Sequence, residues 1–297
     1  MASYRGGCPF CVEQNSVVWL EDLYSVYKKP GRKFNIRECL GCQVLFTSPI
    51  PSNAELEEIY KQNYEYEFHS YVRQEKYLRA KSLIKHLVNE KLIGKRVIEF
   101  GSGEGQFIRA ADNFGIEVTG VEQYVGQDQA STNIIKISAE EFLKNYDISG
   151  SDVYISHTFE HLIDPHSFLV DLYSKMSTHS KVVCVVPNAK LRNGSIRRRT
   201  WGYWQVPVHI AHFDLISLQN IFIKTGFQIE ETTTRSRDFL SIGIEVLNIV
   251  KPEFKKRNKN SLLGVVIRMC SIVWFLTYNF GDSDLIIVAS KTNQPKL

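Results

Sequence analysis

Short apolar runs alternate with amphipathic stretches from residue 95 to the end of the chain. The apolar runs predict seven strands, over 96–100, 116–121, 133–137, 152–156, 181–186, 227–234 and 284–290. The amphipathic stretches predict helices over 105–114, 164–176 and 216–225, and another helix over 77–92 before the first strand. This alternation predicts an α/β domain with a Rossmann-like, doubly wound, seven-stranded and mostly parallel sheet. In such sheets ligands bind beyond the carboxyl ends of the strands.

Two C-x-x-C pairs precede this alternating region. They are Cys8 with Cys11 and Cys39 with Cys42, separated by 27 residues. Four thiolates on two tight turns suit a tetrahedral zinc site of the closed, structural kind. A module this small cannot close a core of its own, so the metal would supply much of its folding energy. We therefore predict a small zinc ribbon before the α/β domain; the alternative is four unrelated free cysteines, or a redox pair.

The turn after the first predicted strand is rich in glycine. Gly101, Gly103 and Gly105 follow the acid Glu99, and the third glycine comes one residue earlier than in the dinucleotide-binding fingerprint. Glycine allows positive φ and close approach of a ligand to bare backbone, while the helix N-terminus behind it offers free N–H groups. The second strand is followed by Glu122, a carboxylate placed to accept hydrogen bonds from a ribose diol. The alternative is a glycine-rich turn in some other α/β protein.

An acid before the glycines and an acid after the second strand resemble the class I S-adenosylmethionine-dependent methyltransferases. The stretch 156–165 reads SHTFEHLIDP and is similar to the Glu-His-(apolar)2-Asp-Pro signature of one branch of that family. Further landmarks are Pro187-Asn188, the motif from His209 to Phe213, and Gly226-Phe227. With the ribbon, the whole chain resembles methyltransferases that act on sugars in surface-polysaccharide or natural-product pathways. Val208 stands where family members often carry an arginine.

The resemblance implies S-adenosyl-L-methionine and Zn²⁺ as cofactors and assigns roles to individual residues. The implied cofactor contacts run from the amino-acid end through the ribose to the adenine ring: Glu99, Gly101, Gly103, Gly105, Glu122, Gln123, Ser138, Ala139, Glu140 and His157. The implied chemistry is an in-line displacement in which His161 is the general base and Glu160 orients it. His212 is the second candidate base, ahead of His209. The alternatives are that His161 caps a helix or packs on the cofactor, that both later histidines are structural, and that 138–140 is an ordinary helix start.

The predicted organisation has three parts. Residues 1–50 form the ribbon, 51–94 a linker and helical lid, and 95–297 the methyltransferase domain, with 191–214 and 237–282 as insertions on the substrate side. The aromatic stretch 64–71 is either a lid or a core helix, and the arginines at 197–199 either clamp phosphate or face solvent. Residues 251–260 are basic and 261–280 mostly apolar, which indicates a buried helix pair or peripheral contact with a membrane surface.

Composition limits the functional classes. The 297 residues are 43% hydrophobic and 23% charged, with a formal net charge of +4, which makes nucleic acid an unfavoured partner. No apolar leader precedes the cysteine motif, so we expect a cytoplasmic protein. The expected activity is methylation of a small hydroxylated acceptor, a nucleotide-linked sugar or surface glycan. The alternative is a non-catalytic module that binds protein or nucleic acid through the ribbon.

Overall fold

A computed structural model of the chain describes residues 7–11, 13, 15–25, 27, 32–63, 70–124, 133–189, 204–235 and 284–292. Three predicted features therefore lie outside the described residues. These are most of the aromatic stretch 64–71, the arginines at 197–199 and the segment 251–280.

The N-terminal part folds as an antiparallel sheet followed by two helices. Strand β1 (Ser16–Tyr24) pairs with β2 (Lys33–Cys39), and β2 pairs with β3 (Leu45–Ser48). Helices α1 (Asn53–Asn63) and α2 (Ser70–Asn89) follow. The carboxylate of Glu55 accepts from the backbone N–H of Ser52, and the Ser52 hydroxyl accepts from the N–H of Glu55, so α1 begins with a reciprocal cap.

The rest of the described chain alternates between strands and helices as the hydrophobic pattern predicts. Its elements are β4 (Arg96–Phe100), α3 (Gln106–Ala111), β5 (Glu117–Val121), β6 (Ile134–Ile135), α4 (Ala139–Asn145), β7 (Asp152–Ser156), α5 (Pro165–Lys175), β8 (Lys181–Pro187), β9 (Ala211–His212), α6 (Leu215–Lys224), β10 (Phe227–Arg235) and β11 (Asp284–Lys291). All seven strands predicted for the main sheet are present. The third is shorter than predicted, because only two of its residues pair with β5.

The main sheet has the order β6-β5-β4-β7-β8-β11-β10. The first five of these strands are parallel, and β11 runs antiparallel to both of its neighbours. The predicted mostly parallel, seven-stranded sheet is thus confirmed. Strand order reverses between β4 and β7, so the carboxyl ends of these two strands border the crevice where ligands bind in open α/β sheets.

Two apolar layers cover the sheet. On one face, α2 and α3 bury Ile84, Leu87 and Phe107, and the Phe107 ring stacks on Tyr154 of β7 at 3.8 Å. The other face is rich in phenylalanine and includes Phe10 from the ribbon, whose ring lies 5.2 Å from that of Phe213. A ribbon side chain is therefore part of the core of the α/β domain.

The ribbon and the α/β domain also share a sheet. Strand β9 pairs antiparallel with β3, so four strands run in the order β1-β2-β3-β9. The Thr47 hydroxyl donates to the carbonyl of His209 at 2.6 Å, and the Thr47 N–H donates to the carbonyl of Ile210 at 2.9 Å. The described part of the predicted substrate-side insertion 191–214 is thus attached to the ribbon. The division of the chain into three parts stays a prediction.

Among the described residues, no helix has the length and apolar character that crossing a bilayer requires.

Candidate active site

The glycine turn after β4 is held at its start and open at its middle. Gly101, Gly103 and Gly105 have φ values of 73°, 53° and 81°. A Cβ on Gly101 would lie 1.9 Å from the hydroxyl oxygen of Thr158, so this position packs tightly against the segment after β7. A Cβ on Gly103 would meet no atom within 4 Å. A ligand can therefore approach the backbone of the turn at Gly103.

Glu122 at the end of β5 faces this opening. Its carboxylate accepts hydrogen bonds from the backbone N–H groups of Gly103 and Tyr124, each at 3.0 Å. These two bonds fix the carboxylate at the carboxyl edge of the sheet, beside the turn. A carboxylate held there can also accept hydrogen bonds from a ribose, as the sequence predicts.

Glu99 lies inside β4, one residue before its end. It is buried, and its Oε2 atom makes no hydrogen bond within the described part of the chain. Burial, with a further contribution from the charge of Glu122, raises the pKa of Glu99 well above its usual range. A buried carboxyl that lacks a donor suits a ligand with an ammonium group, so Glu99 fits the amino-acid end of the predicted cofactor.

The predicted adenine contacts lie at the start of α4. The Ser138 hydroxyl accepts from the N–H of Glu141 at 3.1 Å and caps the helix, Ala139 is half-buried and Glu140 is exposed. This is an ordinary helix N-terminus, and it is compatible with contact to a ligand. Gln123 is exposed. The adenine assignment stays a prediction.

An aromatic pair borders the same edge. The rings of Tyr60, from α1, and Tyr124 stack with centroids 4.9 Å apart. Burial raises the pKa of the Tyr60 phenol, which keeps it protonated and able to donate. The stretch 64–71, for which the sequence leaves a lid or a core helix open, lies mostly outside the described residues, and within them Tyr60 provides aromatic cover. Its signal was present in the sequence only as an apolar position on α1.

His161 ends a short 3₁₀ turn (Phe159–His161) after β7. Its Nδ1 atom lies 3.0 Å from the Tyr60 hydroxyl oxygen and 3.0 Å from the carbonyl oxygen of Val208. A carbonyl only accepts, so this contact places the proton on Nδ1 and leaves the lone pair on Nε2. Burial lowers the pKa of His161, so the neutral ring is favoured. A neutral imidazole with a fixed tautomer has the properties of a general base.

Glu160 lies beside His161 and does not orient it by a hydrogen bond in this structure. Neither carboxylate oxygen of Glu160 makes a hydrogen bond within the described residues, and its Oε1 atom lies 3.5 Å from Nδ1 of His157. The Nε2 atom of His157 lies 3.9 Å from Oδ2 of Asp284, at the start of β11. The orienting contacts to His161 come from Tyr60 and Val208. Glu160 contributes a buried carboxyl group beside the ring.

The two later histidines differ in position. The ring of His209 lies edge-on to that of His161, with centroids 4.6 Å apart. His212 is buried on β9, with its Nε2 atom 3.0 Å from the Thr47 hydroxyl oxygen and its ring against Trp204. Burial lowers the pKa of His212 to about 3. The sequence favoured His212 as the second base, but the structure brings His209 to His161, because pairing of β9 with β3 directs His212 toward the ribbon.

The four ribbon cysteines converge. The Sγ atoms of Cys8 and Cys42 are 3.4 Å apart, as are those of Cys11 and Cys39, and all four lie within 4.8 Å of one another. Four sulfurs at about 2.3 Å from a tetrahedral zinc ion lie roughly 3.8 Å apart. The hydrogen bond between Cys8 and Cys42 raises the pKa of Cys8 and lowers that of Cys42 to about 5. Donor set and spacing therefore fit a structural zinc ion, which would stabilise all four thiolates.

Comparison with known families identifies the domain. A family model described as a methyltransferase domain matches residues 70–232, more than half of the chain. The chain belongs to this family of methyltransferases. The protein is an S-adenosylmethionine-dependent methyltransferase. No curated protein matches the chain.

Several solved methyltransferases are similar to the chain. An S-adenosylmethionine-dependent methyltransferase from Archaeoglobus fulgidus is 24% identical over 72% of this chain and 94% of its own, with a TM-score of 0.49. A possible histamine N-methyltransferase from Thermotoga maritima is 18% identical over 78% of this chain and 98% of its own, with a TM-score of 0.49. A third similar structure is phosphoethanolamine N-methyltransferase 2 from Haemonchus contortus, solved with S-adenosylmethionine. It is 20% identical over 68% of this chain and 49% of its own, with a TM-score of 0.41. We assign neither a substrate nor a residue role from these likenesses.

Proposed function

We propose that the methyltransferase methylates a hydroxyl group of a sugar, carried by a nucleotide or a surface glycan, with His161 as the general base. The observation that supports base catalysis is the 3.0 Å contact between Nδ1 of His161 and the Val208 carbonyl oxygen, which favours a proton on Nδ1 and a lone pair on Nε2. The preference for a sugar comes from the resemblance of the sequence to sugar-modifying methyltransferases with an N-terminal ribbon.

Residues at the carboxyl edge of β4 and β5 would hold the cofactor. Glu99 and the open Gly103 backbone would bind its amino-acid end, Glu122 its ribose, and the start of α4 its adenine ring. S-adenosylmethionine supplies an activated methyl group with a good leaving group when it is bound. The protein then has to align the acceptor and exclude water, because little further activation of the methyl group is needed.

His161 would take the proton of the acceptor hydroxyl on Nε2. Proton transfer leaves an imidazolium; burial disfavours that charge, and the neighbouring carboxylate of Glu160 partly offsets this effect on the pKa of His161. Tyr60 and the Val208 carbonyl hold the ring in one orientation while this happens. The zinc ion of the four-cysteine cluster would act only by stabilising the ribbon, since four protein ligands leave no open position.

The test begins with a screen of nucleotide sugars and glycans for acceptor-dependent formation of S-adenosylhomocysteine. On an acceptor found in this way, His161→Gln should lower kcat by about 10²–10⁴-fold, the usual contribution of a general base, with cofactor affinity unchanged. His166→Gln, at an exposed position on α5, is the matched control and should leave kcat unchanged. Wild-type turnover by His161→Gln would disprove the base assignment. Turnover restricted to acceptors that are not sugars would disprove the proposed substrate class.

A further inference from the structure

Glu160, His161 and His209 form a cluster at the carboxyl end of β7. One carboxylate oxygen and one ring nitrogen of each histidine all lie within 4.8 Å of one another. The three residues arrive from two separate segments, the 3₁₀ turn after β7 and the chain before β9. These segments are joined by a hydrogen bond from the N–H of Ile210 to the carbonyl of Glu160 at 2.8 Å. The fold itself therefore brings the three side chains together.

The buried carboxylate of Glu160 has no hydrogen-bond donor within the described chain. The residue is only 1% exposed, and neither of its oxygens makes a hydrogen bond there. Its ionic neighbour at the rim is His157, at 3.5 Å. A carboxylate removed from water costs several kcal/mol unless a positive charge or good donors accompany it. The surroundings of Glu160 are therefore suited to a cation.

The imidazole of His161 is oriented as a metal-binding histidine usually is. The Val208 carbonyl and the Tyr60 hydroxyl, each 3.0 Å from Nδ1 of His161, engage the side of the ring that faces away from a ligand on Nε2. A backbone carbonyl on the second ring nitrogen is the common way in which proteins orient a histidine toward a metal ion. The ring of His209 lies edge-on to that of His161, with centroids 4.6 Å apart, and His209 is 4% exposed.

We infer that Glu160, His161 and His209 bind a divalent transition-metal ion in addition to the zinc ion of the cysteine cluster. Two imidazoles and one carboxylate suit Zn²⁺, Fe²⁺ or Ni²⁺. Ligand atoms at about 2.1 Å from a tetrahedral ion lie roughly 3.4 Å apart, so small side-chain rotations close the present spacing. Three protein ligands leave at least one position for water or an oxygen of the acceptor.

The ion and the acceptor proton would compete for one lone pair, that of Nε2 of His161. An excess of such a metal ion is thus expected to inhibit methyl transfer to a hydroxyl group. This consequence rests on the proposed function, whereas metal binding at the cluster does not.

The test uses tag-free, full-length protein that carries one equivalent of zinc. Calorimetric titration with Ni²⁺, followed by metal quantification after dialysis, should show one nickel ion per chain. Glu160→Gln and His209→Gln should each weaken nickel binding by at least about tenfold, because even loss of an outer-shell partner of a metal ligand has an effect of that size. His166→Gln, at an exposed position on α5, is the matched control and should bind nickel like the wild type.

Thermal unfolding shows whether each variant is folded. If His209→Gln does not fold, the nickel affinity of Glu160→Gln, which keeps the shape of the side chain, decides whether the inference holds. The inference is overturned if the wild type takes up no second metal ion, or if a folded Glu160→Gln variant binds nickel with unchanged affinity. S-adenosylmethionine is titrated into the same samples. Cofactor binding without nickel binding removes only this inference, whereas a folded protein that does not bind the cofactor counts against the proposed function.

Discussion

The proposed cofactor side and the proposed acceptor side of the candidate active site are built in different ways. The cofactor side is made of two neighbouring strand ends, and Glu122 accepts from the backbone of Gly103 within the same βαβ unit. The acceptor side gathers remote segments, because His161 contacts Tyr60 of α1 and Val208, which precedes β9. Strand β9 in turn pairs with the ribbon.

This difference determines how each side responds to a disturbance elsewhere. Backbone hydrogen bonds between parallel strands in the middle of the sheet hold the cofactor side. The acceptor side depends on β3 and β9, and β3 belongs to a small sheet whose stability we attribute to zinc. Loss of the metal should therefore disorder the acceptor side first.

Removal of one zinc ligand should have the largest effect. Cys39→Ser should abolish zinc binding and lower the free energy of unfolding by roughly 5 kcal/mol or more, because a structural zinc site contributes about 10 kcal/mol or more to folding. Zinc quantification measures the bound metal, and denaturant unfolding of the same sample measures the free energy of unfolding. Cys184→Ala, in a buried strand away from the cluster, should keep its zinc. A zinc-free Cys39→Ser protein of wild-type stability would show that the ribbon needs no metal.

A methyl group on the open glycine should affect the cofactor side alone. Gly103→Ala should weaken S-adenosylmethionine binding by about 10–100-fold, because the methyl group fills space where a ligand approaches the backbone. Gly150→Ala is the matched control, with a φ of 74° against 53° and equally open surroundings. Both variants should lose similar stability from backbone strain, and only the first should lose affinity in calorimetry. Equal affinities would place the cofactor elsewhere.

Loss of the charge of Glu122 should weaken the same affinity by a similar factor. Glu122→Gln should weaken cofactor binding by about 10–100-fold, since hydrogen bonds to a charged group contribute about 1.5–3 kcal/mol. Glu117→Gln, at the other and exposed end of β5, should bind the cofactor like the wild type. If Glu122→Gln and Glu117→Gln bind equally well, Glu122 does not contact the ribose.

The pH dependence of stability should report on the junction between ribbon and domain. The pKa of His212 falls to about 3 in the folded protein, against about 6.5 when unfolded. The unfolded chain then binds more protons between pH 3 and 6.5, so stability falls as pH drops through that window, by up to about 1.4 kcal/mol per pH unit. Burial lowers the pKa of His161 as well, so this group also makes stability fall as the pH drops.

The variant His212→Asn should flatten this slope in denaturant unfolding at several pH values. Thr47→Val removes the hydrogen bond to His212 without removing the titrating group, so it should lower stability at every pH and keep the slope. An unchanged slope in His212→Asn would show that His212 is not the group that titrates.

Sequence patterns predicted the strands and the turn of the proposed cofactor side well, and the arrangement of the proposed acceptor side only in part. Strands 96–100 and 117–121, with the glycines and Glu122 at their ends, follow one another along the chain, so local spacing reports their proximity. His209 and Tyr60 could not be placed in this way, because their contacts with His161 span 48 and 101 residues. The spacing of His209 and His212 did not show which ring would face His161. Only the pairing of β9 with β3 decides this.

Hydrogen exchange with and without zinc tests the contrast between the two sides most directly. The amide of Thr47 donates to the Ile210 carbonyl, and the amide of Ile210 donates to the Glu160 carbonyl, so both report on the junction. After chelation of zinc we expect faster exchange over 45–48 and 208–213, and unchanged exchange over 97–101 and 117–121. Equal acceleration of all four segments, or protection at Thr47 and Ile210 that survives zinc removal, would contradict the claim that the ribbon supports the acceptor side alone.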